Sequence, residues 1–153
     1  MTPMQEISKQ GEAITILLVE DEDVVREAAH EVLQSCGYRV LKARDASEAT
    51  ELFEACARSI RLLIADVILP TKKGGELAQD LHALCPGLRT ILMSGYPQTA
   101  VMPRNAGDGT TVFLAKPFSL ESLMREVLEA GELQHRTKLV RLIPEMAYQT
   151  RLC

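Results

Sequence analysis

No stretch of the sequence approaches the roughly 20 consecutive apolar residues that a membrane-spanning helix requires, which excludes that class. Met1 to Ala13 is polar and lacks the apolar middle of a secretory signal, so export by that route is not expected and a cytoplasmic location is. Repeats and low-complexity tracts are missing too. Cysteine is sparse and unpatterned: Cys36, Cys56, Cys85 and Cys153 form no CxxC and sit near no pair of histidines, so a zinc site is a poor reading. Three of the four fall on apolar faces or ends of helical segments, where buried free thiols in a reducing compartment are the expectation. Positive charge is in deficit, with 17 Lys and Arg against 21 Asp and Glu and a net charge of −4. That balance does not favour direct nucleic-acid binding.

What is present is one domain's worth of globular sequence: 153 residues, 46% hydrophobic and 25% charged. Short β runs alternate with amphipathic helical windows. The runs are Thr15 to Val19, Arg39 to Ala43, Leu62 to Ala65, Thr90 to Met93 and Thr111 to Ala115. Ile16-Leu17-Leu18-Val19 and Leu62-Leu63-Ile64-Ala65 are continuously apolar, as parallel strands covered on both faces are. The helical windows are Asp23 to Cys36, Ala46 to Arg58, Gly75 to Leu84, a weak one at Gln98 to Ala106 interrupted by Pro103, and Leu120 to Ala130. Gly37 suits a left-handed stop, Asp45 with Glu48 resembles a capping box, and Ser119 is placed as an N-cap. The apolar stripe of the third window is Leu77, Leu81 and Leu84; that of the last is Leu120, Leu123, Met124, Val127 and Leu128.

Strand and helix alternating five times predict a doubly wound α/β fold: a parallel five-stranded sheet with helices on both faces. Ligands in such sheets bind beyond the carboxyl ends of the strands, so the residue after each strand is the one to inspect. The first strand runs into Glu20-Asp21-Glu22-Asp23, the third into Asp66, the fourth into Ser94-Gly95 and the fifth into Lys116-Pro117-Phe118. Carboxylates converging from two strands repel one another unless a cation neutralises them, and hard oxygen ligands suit Mg²⁺ or Mn²⁺. A divalent cation, a lysine and a hydroxyl are also what a transferring phosphoryl group requires. A carboxylate is then a competent nucleophile, and Asp66 is the candidate. Each piece alone has an ordinary explanation, since acids before a helix complement its dipole and an isolated lysine is usually a surface charge. Their joint placement on one sheet edge is what favours a site.

The residues resemble the receiver domain of two-component response regulators. The match runs through Ile16 to Asp21 followed by Arg26, Leu63 to Pro70, Ile91 to Tyr96 and Phe113 to Phe118, in order and spacing, over about Thr15 to Ala130. The resemblance implies the flavodoxin-like strand order 2-1-3-4-5 and a set of roles. Asp66 is the phosphoacceptor, and Asp21 and Asp66 bind Mg²⁺ directly, with Glu20 acting through a water and Ile68 through its backbone carbonyl. Ser94 and Lys116 receive phosphoryl oxygens, Pro117 is expected in cis, and Phe113 stands where an aromatic rotamer reports phosphorylation. Implied partners are a histidine kinase or histidine phosphotransfer protein as donor, and a downstream protein that reads the face of the fourth helix, fifth strand and fifth helix. A phosphorylation-dependent homodimer is also within the family's habits.

Some positions depart from the family pattern. Lys72-Lys73 precedes Gly74 where many members carry a small acidic or polar residue, and Phe113 lacks the hydroxyl of a tyrosine. Ile68 and Tyr96 flank the path of a water attacking the acyl phosphate and supply no group to orient it, so slow autodephosphorylation is expected. The division read from sequence is an N-terminal extension over 1–13, the receiver over 14–131 and a basic tail over 132–153. The tail is too short for an effector domain, which leaves a free-standing receiver, the favoured reading, or the terminal receiver of a hybrid kinase. No catalysis beyond self-phosphorylation and its slow reversal is expected. An aspartyl-phosphate phosphatase would want a second acid two residues after the nucleophile, where this sequence has Ile68. A degenerate, phosphorylation-independent interaction module is the other alternative, and the intact Asp21, Asp66, Ser94 and Lys116 set argues against it.

Overall fold

The computed structural model describes residues 14–57, 59–95 and 111–130. Five strands, β1 (Thr15–Val19), β2 (Arg39–Ala43), β3 (Ile60–Asp66), β4 (Arg89–Ser94) and β5 (Thr111–Ala115), form one parallel sheet in the order β2-β1-β3-β4-β5. The helices are α1 (Asp23–Ser35), α2 (Ala46–Cys56), α3 (Gly74–Leu84) and α4 over 120–130. The window at Gln98 to Ala106 lies outside the described residues. The two-residue period of the strands divides their side chains between two cores. Leu17, Val19, Leu63, Ala65 and Leu92 pack with Phe53 of α2 and Leu77 and Leu81 of α3. Ile16, Leu18, Ile64, Ile91, Met93 and Leu114 pack with Ala29 and Leu33 of α1 and Leu123 and Val127 of α4. Burying each large aliphatic side chain stabilises the fold by about 1.5–3 kcal/mol, so the three central strands, apolar throughout their middles, anchor the molecule.

The local signals act as expected at three helix ends. Asp45 caps α2 by accepting from the Glu48 N–H at 2.8 Å, and the Ser119 hydroxyl accepts from the Ser122 N–H at 3.0 Å at the start of α4. Gly37 adopts φ +95° just beyond α1. Other expectations need correction. β3 and β4 extend to Asp66 and Ser94 because the ladder continues past the last apolar residue, with Asp66 in register with Met93 and Ser94 with Ala115. The thiols are not buried: Cys36 is exposed, and Cys56 and Cys85 are half-buried, all three free. Cys36 falls beyond the last turn of α1, where the sheet no longer covers the stripe. Leu84, Leu120 and Leu128 are likewise exposed. Leu84 ends α3, Leu120 begins α4, and Leu128 stands about 100° around the helix from the buried Val127.

Candidate functional site

The strand order makes β1 and β3 neighbours, so their ends deliver acids to one place. Glu20, Asp21 and Asp66 each present a carboxylate oxygen, and these atoms lie within 4.8 Å of one another. Glu20 is fully buried. Its backbone N–H donates to the Ala43 carbonyl at 3.1 Å, and its Oε2 accepts from the Glu22 N–H at 3.2 Å. Asp21, the next residue, is exposed.

Lys116 follows β5 and reaches across the end of β4 to the acids. Its Nζ donates to Glu20 Oε1 at 2.8 Å and to Asp66 Oδ2 at 2.5 Å. Its backbone N–H donates to the Ser94 carbonyl at 2.7 Å, and the Lys116–Pro117 peptide is cis, as expected. The other Asp66 oxygen, Oδ1, accepts from the Ile68 N–H at 2.9 Å. Burial pushes the Glu20 carboxyl above the usual carboxylate range, opposed by the Lys116 ammonium and the Glu22 N–H. For Lys116, burial acts downward, but the hydrogen bonds and charges of Asp66 and Glu20 outweigh it and leave its pKa raised. The lysine therefore stays an ammonium across the physiological range. Three carboxylates around one ammonium still leave excess negative charge, and an all-oxygen donor set of that kind fits a small hard cation better than a soft one.

Of the residues singled out from sequence, Glu20, Asp21, Asp66 and Lys116 converge. Ser94 is buried at the end of β4, one strand from Asp66, and Ile68 is 48% exposed beside it. Phe113 is half-buried and packs on the core that α2 and α3 cover, in register with Leu92. Tyr96 lies outside the described residues. Lys72 is ion-paired with Asp80 of α3, which turns its charge along the helix; Lys73 remains exposed as the residue before α3.

Two residues of the site were not read from sequence as contributors. Gly74 opens α3 directly against the end of β3: its N–H donates to the Val67 carbonyl at 2.8 Å, and a Cβ there would overlap the Asp66 carbonyl oxygen. Arg26 is buried on the core face of α1, where its Nη1 donates to the Glu20 carbonyl at 2.9 Å. The signal for Gly74 was the paired glycine after a Pro-containing loop at a helix start. A charged residue at the position of a buried stripe was the signal for Arg26.

A parallel sheet of this order, with acids at the ends of β1 and β3 and a lysine after β5, is the arrangement of a signalling receiver. Residues 16–128 match the family model of the response regulator receiver domain. Over 120 residues the chain is 38% identical to the sensor kinase CckA of Brucella abortus, covering 78% of this chain but 13% of that kinase. It is 29% identical over 112 residues to the response regulator receiver protein CpdR of the same organism, covering 73% of this chain and 92% of that protein. The crystal structure of the receiver domain from the hybrid histidine kinase CckA superposes with a TM-score of 0.66 at 34% identity, over 76% of this chain and 97% of that one. The chain belongs to the response regulator receiver domain family and is a receiver of two-component signalling.

Proposed function

We propose that this receiver accepts a phosphoryl group on Asp66 from the phosphohistidine of a kinase or phosphotransfer protein. The observation that carries the reading is Lys116 Nζ seated between Asp66 Oδ2 and Glu20 Oε1, with Asp21 at the same locus. In the transfer, an Asp66 carboxylate oxygen forms a bond to phosphorus, the phosphorus–nitrogen bond breaks, and its electron pair returns to the imidazole. The product is an acyl phosphate. Lys116, kept cationic by its two carboxylates, offsets charge on the phosphoryl oxygens, and the Ser94 hydroxyl at the adjacent strand end is within the same mouth of the sheet. Asp21, Asp66, the Ile68 carbonyl and, through water, Glu20 would hold Mg²⁺ or Mn²⁺, which when bound supplies further neutralisation of those oxygens. The similarity to the receiver domain of a hybrid histidine kinase supports a histidine donor.

Intact mass after incubation with acetyl phosphate and Mg²⁺ tests this reading. A single phosphoryl adduct that a chelator prevents is the expected result. No adduct, under conditions that label another receiver, would overturn it in favour of a phosphorylation-independent module. Mg²⁺ should also stabilise the fold. At a hundredfold excess over its dissociation constant an ion stabilises by about 2.7 kcal/mol. For a domain of this size that is a rise in Tm on the order of 10 °C, reversed by chelator.

The acyl phosphate is expected to be long-lived. Ile68 is apolar and half-exposed beside Asp66, so it offers an attacking water no acceptor. Ile68→Asn combined with Tyr96→Glu should shorten the half-life, by up to about 10²-fold if the new groups position a water as a general base does. An unchanged decay rate, followed by loss of the adduct after donor removal, would contradict the assignment of these positions.

A further inference from the structure

Among the described residues two charged side chains are buried, Glu20 and Arg26, and the Arg26 side chain bonds the Glu20 backbone carbonyl. The stripe of α1 does not need a cation. Ala29 and Leu33, three and seven residues on, continue the same buried face, and an apolar side chain of similar length at position 26 would complete it. A guanidinium there gives up hydration that must be replaced by protein partners. Its partners all belong to one short segment. Nη1 donates to the Glu20 carbonyl at 2.9 Å, Nη2 donates to Asp23 Oδ1 at 2.5 Å, and Nε stands 3.7 Å from Glu27 Oε2. The planar fork thus spans the turn from the end of β1 to the first turn of α1, with Asp21 between its two anchor points.

We infer that Arg26 is a positioning residue for the metal-binding carboxylates, acting through the peptide that joins Glu20 to Asp21. The inference rests on the reading of the site given above. Glu20 is already held at its N–H by Ala43 and at its carboxylate by Lys116 and the Glu22 N–H. Its carbonyl, the last group before Asp21, is held by Arg26. Fixing that peptide plane fixes where the exposed Asp21 begins, and therefore where its carboxylate stands relative to Asp66. Charge and geometry make opposite predictions here. As a mere positive charge near the cluster, Arg26 would repel a divalent cation, and its removal would tighten binding. As a clamp it pre-organises the cage, and its removal loosens binding. Lysine keeps the charge but lacks the two-pronged geometry, so it separates the two.

Calorimetric titration of Mg²⁺ into the unphosphorylated wild type, Arg26→Lys and Arg26→Met, with urea unfolding of each without metal, tests the inference. Both variants should bind Mg²⁺ about tenfold more weakly, the lower end of the loss typical when a ligand's supporting partner is removed. Their uptake from acetyl phosphate should fall at limiting Mg²⁺ and return to the wild-type rate at saturation. Unchanged affinity in folded Arg26→Lys, with or without a lower urea midpoint, would overturn the inference by making Arg26 purely structural. Tighter binding in Arg26→Met would overturn it by making charge the operative term. If Arg26→Met does not fold, Arg26→Lys decides alone. Wild type that binds no Mg²⁺ would overturn the phosphoacceptor reading itself, an outcome visible before any variant is compared.

Discussion

Asp66→Asn will take up no phosphoryl group from acetyl phosphate or from a phosphohistidine donor, while wild type under the same conditions gains one. The substitution preserves shape and removes the anionic oxygen that attacks phosphorus. It also disturbs the ground state in a specific way. In the native site both Asp66 oxygens accept, Oδ1 from the Ile68 N–H and Oδ2 from Lys116. An amide has one acceptor and one donor end. Whichever way the substituted amide turns, its NH₂ group faces either a backbone N–H or an ammonium. The side chain therefore keeps one of its two contacts: with the amide oxygen towards Lys116 the Ile68 N–H loses its acceptor, and with the NH₂ towards Lys116 the lysine is left depending on Glu20. Circular dichroism should show a folded protein, and intact mass should show no adduct. An adduct of full yield in this variant would place the acceptor elsewhere, with Asp21 the next carboxylate to test.

Gly74→Ala should both destabilise the protein and impair phosphorylation, although alanine favours helices over glycine by about 1 kcal/mol. The added Cβ would overlap the Asp66 carbonyl oxygen, stand 2.9 Å from the carbonyl carbon and lie 3.2 Å from Val67 Cα. Every one of those neighbours is backbone, which cannot rotate aside as a side-chain tip can. Overpacking of this kind costs about 1–3 kcal/mol and sometimes more. Relief requires moving either the start of α3 or the peptide that carries Asp66, so the acceptor shifts along with the strain. A lower urea midpoint together with slower adduct formation is the expected result. Gly87→Ala is the comparison, because a Cβ there meets nothing within 4 Å and should leave both measurements nearly unchanged. Equal behaviour of the two variants would show that α3 adjusts without moving Asp66.

The framework and four of the site's charged groups were legible from sequence for one reason. Each of Glu20, Asp66 and Lys116 is the polar residue that terminates or follows an apolar run, Asp21 comes next, and a parallel sheet sends such residues to the same edge. Apolarity located the strands but misplaced their ends: Asp66 and Ser94 are still laddered, and a hydrogen bond between main chains leaves no mark on side-chain polarity. The burial of Glu20 was not legible either. It depends on Lys116, 96 residues away, and an acidic run before a helix reads as a solvated one. Arg26 failed by the same logic, since its burial comes from a carbonyl partner that no periodicity records. Gly74 is a matter of two backbones meeting, which only the packed chain displays. Leu84 and Cys36 were assigned to stripes by spacing alone, but a helix can outrun the sheet that covers it.

The bridge from Lys116 to Glu20 and Asp66 also sets an order of events. Every acid of the cluster emerges from the ribosome before the lysine does, and at about 5–20 residues per second the 50 residues from Asp66 to Lys116 take about 2.5–10 s to add. During that interval the chain has Asp66 but lacks the ammonium that bridges it to Glu20. Because Lys116 comes one residue after β5, at the far end of the sheet from β2, that cation arrives only when the last strand has docked. On the proposed function, a nascent or partly unravelled chain would then lack a complete site, and signalling competence would be tied to a finished sheet.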